Sequence, residues 1–175
     1  MRLFVAVFPD AAVNAAVDAV LARALRAGPH GGRWRPVAAS RRHVTLRFLA
    51  DADPDVTVGA LRHDLAGLPA PELTTAGAGV FGTALWLGVR AADPEAWTRL
   101  VAASGADPAE HVAHLTVARA RGRAPEVPPG LAGYRGPGWT AGEVALVASG
   151  EPYRVVERFP LVGRSGGGEA VGPAR

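Results

Sequence analysis

The chain has 175 residues, enough for one domain with a substantial core, and its 49% hydrophobic and 20% charged content is that of a globular protein. It contains no cysteine, which excludes disulfides and thiolate chemistry and makes the cytoplasm the default location, and no lysine, which excludes a Schiff-base or P-loop lysine. The net charge of +3 is mild: tight binding to long nucleic acid wants a stronger basic stripe, and a small or end-on anionic substrate fits better.

The N-terminal RLFVAVF, 2–8, reads as a strand, too short in its apolar core for a signal peptide. Asp10 is placed to cap a helix running to about Arg26, and 28–32 is a loop before a short strand at 34–37. A strand starts at His43, and Pro54 opens a helix that ends near Gly67. Strands at 73–81 and 85–90 flank a turn at Gly82, and Asp93-Pro94 opens a helix to about Ser104. The strand at 113–121 is followed by a Pro/Gly-rich loop at 125–138 and by strands at 141–149 and 153–161. The tail, 163–175, has almost no apolar content and reads as disordered. No apolar run approaches the roughly 20 residues of a membrane span, so no membrane partner is expected. Alternating strands and helices with no low-complexity linker give an α+β protein with two similar halves, one bilobal domain over 1–162.

RRHVTLRFLA at 41–50 places an imidazole, a hydroxyl and a guanidinium on an otherwise apolar strand. Side chains alternate along a strand, so His43, Thr45 and Arg47 share one face and Val44, Leu46 and Phe48 the other. Taken alone, this is an ordinary solvated strand face. HLTV at 114–117 repeats the pattern of HVTL at 43–46, His, apolar, Thr, apolar, with the two histidines 71 positions apart. One copy per half is what a duplicated fold supplies, with the two strands meeting across a cleft. Cleaving a phosphodiester requires a proton taken from the nucleophile and a proton given to the leaving oxygen. Two imidazoles near their ordinary pKa of about 6.5 can divide those roles. Thr45 and Thr116 are placed to hydrogen-bond the non-bridging oxygens, and nothing in this chemistry calls for a metal or a cofactor.

The paired tetrads resemble the 2H phosphoesterase superfamily. RLFVAV, RWRP, HVTLRFLA, GVFG with LWLGV, HLTVAR, EVALVAS and RFPL extend the resemblance over most of 1–162, toward the bacterial and archaeal RNA 2′,3′-cyclic phosphodiesterases, also called 2′-5′ RNA ligases. The chain departs from them at Val112-Ala113, where members usually carry Pro before the second histidine, and in a short, Pro-rich segment after Arg121. The resemblance implies antiparallel sheets lining a central cleft with helices outside, and action on RNA or oligonucleotide ends; a monomer is expected. It implies metal-independent hydrolysis of a 2′,3′-cyclic phosphate to a 2′-phosphate, with His43 as the acid and His114 as the base.

Arg47 has the parity to face the cleft and matches a family arginine. Arg119 also matches one, but lies five residues past His114, at the opposite parity, and needs a bulge to reach the cleft. Arg41, Arg42, Arg121 and Arg123 read as rim charges that steer an anion. His111 and His114 have a metal-pair spacing, but with no cysteine in the chain and only Glu110 close in sequence no metal site is expected there. His30 and His63 read as surface residues, and Phe81 and Trp86 as core aromatics with base stacking as the alternative. Three functions fit these residues: hydrolysis of cyclic phosphate ends; the same site acting on 2′-5′ linkages or small cyclic nucleotides, with ligation as the reverse; and a module that grips RNA ends without turnover.

Overall fold

A computed structural model describes residues 1–163; the expected tail lies outside them from residue 164 onward. The elements run β1 (Leu3–Val7), α1 (Ala11–Ala27), β2 (Trp34–Pro36), β3 (Val44–Leu49), α2 (Pro54–Asp64), β4 (Glu72–Phe81), β5 (Ala84–Ala91), α3 (Pro94–Ala103), β6 (His114–Ala120), β7 (Arg135–Thr140), β8 (Glu143–Ala148) and β9 (Arg154–Pro160). The fold is α+β, with two antiparallel sheets ordered β3-β1-β8-β9 and β2-β6-β5-β4-β7. Each sheet draws on both halves of the chain: β8 and β9 complete the first, and β2 crosses to the edge of the second.

The helices start where the side chains supply caps. Asp10, Asp53 and Asp93 each accept a backbone N–H of the first turn, and Pro54 and Pro94 take first-turn positions whose missing N–H carries no penalty. α1 buries Val13, Val17, Val20, Leu21 and Ala24, an apolar stripe at helical spacing, and packs onto β7 at the edge of the five-stranded sheet. α2 lies against β9 and α3 against β5. No helix among the described residues is long and apolar enough to cross a membrane.

β1 is buried on both faces. Leu3, Val5 and Val7 join the main core with Val44, Leu46, Leu87, Leu115, Val117 and Leu146, while Phe4 and Ala6 turn to the cleft side with Ala145 and Val147. β7 corrects the loop expected over 125–138. It is an edge strand paired only with β4, so the absent N–H of Pro137 leaves no ladder partner stranded. Gly136 has a steric reason: a Cβ there would sit 2.1 Å from Thr75 Oγ1 on β4.

Both motif strands carry an extra residue at the same place. In β3, Ala6 pairs with Thr45 and Val5 with Arg47, so Leu46 is the bulged residue. In β6, Trp86 pairs with Thr116 and Leu85 with Ala118, so Val117 is bulged. Each bulge lies three residues past its histidine, and beyond it the alternation of faces is inverted.

Candidate active site

β3 and β6 lie side by side where the sheets meet, and a cleft of about 710 Å³ opens over them. Its lining includes His43, Thr45, His114, Thr116 and Arg119, four of them from the repeated tetrads. Arg35 on β2, Arg41, Glu151 and Tyr153 complete its polar walls.

The two imidazoles are held identically. His43 Nδ1 lies 2.8 Å from the Arg41 carbonyl, and His114 Nδ1 lies 2.7 Å from the Val112 carbonyl, two residues back in each case. A carbonyl only accepts, so Nδ1 carries the hydrogen and the neutral ring keeps its lone pair on Nε2. Aromatic neighbours fix the ring planes. Phe4 stacks on His43 at 4.6 Å between centroids, with Tyr153 edge-on at 5.7 Å. Phe81 meets His114 edge-on at 5.4 Å, with Trp86 at 6.1 Å. These two aromatics therefore border the site. Phe81 is exposed, and Trp86 lies flat over Gly79, where a Cβ would come within 2.2 Å of the indole.

The electrostatics favour neutral His43. Burial pushes its pKa below the ordinary histidine value, and the charges of His114, Arg41 and Arg119 push the same way, against the raising effect of the Arg41 carbonyl. Arg41 is paired with Glu151 and lies over the Tyr153 ring, 4.7 Å from its centroid.

The bulges decide which arginine reaches the cleft. Past Val117, Arg119 turns onto the cleft face, beside His114 and Thr116. Past Leu46, the corresponding position is Phe48, which pairs with Phe4 and shares the His43 face, 52% exposed. Arg47 is turned to the other side, outside the cleft lining. Its guanidinium donates to the Ser104 carbonyl at 3.5 Å and lies against Gly105 at the end of α3, where free helix carbonyls favour a cation.

Arg42 corrects the expectation of a rim charge. It is 1% exposed and bonded to the Asp18 carboxylate and, at 3.2 Å, to the Asn14 carbonyl, so it anchors the approach to His43 onto α1. Arg41 lines the cleft wall, and Arg121 and Arg123 are exposed. His111 ties the two motifs together. Its Nε2 is 3.0 Å from the Thr45 carbonyl, which bonds the segment before the second motif to the strand of the first. His30 and His63 are exposed. The sequence does not single out Arg35, Glu151 and Tyr153 as site residues. Arg35 had a signal in RWRP, whereas Glu151 and Tyr153 enter only because the β8–β9 hairpin folds back beside β1.

Comparison with known families by profile gives no match. An RNA 2′,3′-cyclic phosphodiesterase of Thermus thermophilus is 34% identical over an alignment of 202 residues, covering 99% of this chain and 96% of the relative. Among solved structures, TT0787 of Thermus thermophilus matches with a TM-score of 0.66 and 28% identity, over 94% of this chain and 100% of that one. Escherichia coli LigT, solved with ATP, matches with a TM-score of 0.67 and 24% identity, over 92% and 98% of the two chains, which shows the shared fold. With the two tetrads facing one cleft and a curated relative matched end to end, the chain belongs to the RNA 2′,3′-cyclic phosphodiesterase family of the 2H phosphoesterases.

Proposed function

We propose that this protein hydrolyses the 2′,3′-cyclic phosphate at RNA or oligonucleotide ends to a 2′-phosphate, using two histidines and no metal. The observation that carries the reading is the matched pair of imidazoles. Both Nδ1 atoms are tied to a carbonyl two residues back, and both rings line one cleft together with Arg119 and two threonines. Water attacks phosphorus and gives its proton to one Nε2; the P–O3′ bond breaks, and the departing O3′ takes a proton from the other Nε2. Arg119, Thr45 and Thr116 hold the non-bridging oxygens as charge grows on them.

The family resemblance assigns the acid to His43 and the base to His114. The lowered pKa of His43 is compatible with that role, since the incoming phosphate supplies the negative charge that favours protonating it and the protonated ring is then a strong donor. A cyclic phosphodiester whose leaving group departs without a proton separates the roles. Such a substrate restores His43→Ala and leaves His114→Ala inactive if the assignment holds; the reverse pattern exchanges them. The family relationship supports action on RNA; the protein is proposed to act as a monomer, and the absence of cysteine fits a cytoplasmic enzyme.

The deciding experiment follows a short RNA bearing a 2′,3′-cyclic phosphate. A 2′-phosphate product supports the reading, a 3′-phosphate refutes the assigned leaving group, and retention without turnover makes the protein a binding module.

A further inference from the structure

In the cleft wall, Arg35 on β2 stands directly opposite Arg119 on β6 in the antiparallel register, and both side chains line the cavity. Side chains so paired are about 5 Å apart at Cβ, and like charges there repel. Arg41, the third arginine of the wall, is matched by Glu151, but among the described residues neither Arg35 nor Arg119 has a carboxylate partner. A repelling pair that faces a cavity and lacks a counterion is relieved by a bound anion. One cyclic phosphodiester carries a single negative charge, and Arg119, next to His114 and Thr116, is the arginine placed to meet it. Arg35 lies one strand spacing, about 4.8 Å, farther out, on the edge strand of the sheet. It is free for a second phosphate.

We infer that Arg35 holds the phosphate joining the last two nucleotides, so that the site takes an RNA chain end in preference to a mononucleotide. The inference rests on the proposed cyclic phosphodiesterase reading and names its substrate class. An internucleotide phosphate is present in any RNA end and missing from a nucleoside 2′,3′-cyclic phosphate. Engaging it pairs the second guanidinium in a charge-assisted, two-pronged contact.

The test compares three substrates, namely a nucleoside 2′,3′-cyclic phosphate, a dinucleotide with a 2′,3′-cyclic end, and that dinucleotide with an uncharged methylphosphonate linkage. The wild type should favour the charged dinucleotide over the other two by about tenfold in kcat/KM, mainly through KM. Arg35→Gln should erase that preference, with no more than about a threefold loss on the mononucleotide, and Arg35→Lys should restore part of it. Equal losses on all three substrates would put Arg35 on the scissile phosphate instead, and an undiminished preference in Arg35→Gln would remove it from recognition; either overturns the inference. If the wild type hydrolyses the mononucleotide and shows no preference, this inference alone fails. If it hydrolyses none of the three, the proposed activity fails and takes the inference with it.

Discussion

Each histidine is a ring with one nitrogen spoken for and one free, and that arrangement makes its removal specific. His43→Ala and His114→Ala should each lower kcat by about 10²–10⁴-fold or more while circular dichroism and melting stay close to wild type. A folded variant within about threefold of the wild type would end the two-histidine mechanism. His43 has a pH signature of its own. Its pKa in the folded protein lies below the ordinary 6.5, so the imidazole signal in an NMR titration should have its midpoint below that value. Since neighbouring positive charge contributes, Arg119→Gln and His114→Ala should each move the midpoint up, while burial keeps it depressed. The native state prefers the neutral ring, so this group's contribution to stability is complete above about pH 6.5 and fades as pH falls through the lower folded value. A bound phosphate favours the charged form. The limbs of the kcat profile should therefore lie at higher pH than those of kcat/KM, and the fitted values belong to the coupled pair. A rate rising steadily through about pH 9 would mean that no protonated histidine is needed.

At the scale of elements, the bulge is the decisive device. One inserted residue in β3 and one in β6 invert the strand alternation, sending Arg119 into the cleft and Arg47 out of it. Alternation alone placed Arg47 correctly for a regular strand, but a bulge leaves no mark in residue type at Leu46 or Val117. Arg47 then depends on Gly105, whose φ of +84° and close approach to the guanidinium both require the absence of a Cβ. Gly105→Ala should destabilise the fold by about 1–2 kcal/mol from the backbone conformation alone, with a further loss from displacing Arg47. Thermal or urea unfolding measures it, and an unchanged midpoint would show that Arg47 and the α3 terminus relax freely. β7 is hidden in the sequence for a related reason. Gly and Pro are turn signals, and only pairing with β4 makes them an acceptable edge strand.

For the molecule as a whole, the two sheets share one core while presenting a common polar cleft, so the groups proposed for catalysis come from strands whose histidines are 71 positions apart in sequence. The proton transfers and the neutralisation of phosphate are assigned to side chains of this chain. Activity should accordingly survive exhaustive dialysis against a metal chelator. Activity that vanished with chelator and returned with one divalent ion would require a ligand set that the mechanism lacks.

The sequence by itself determined the α+β alternation, the helix starts and the two tetrads. Each is written in local chemistry: a capping Asp, a Pro in a first turn, an apolar period, a repeated pattern of four residues. Only the tertiary structure decided which sheet each strand joins, since hydrogen-bond partners far apart in sequence have no local signature; β2 crossing to β6 and β8 to β1 are its choices. It also decided that Arg42 is buried against Asp18 while Arg35 is set opposite Arg119, because a guanidinium's role depends on which charges the folded chain brings near it.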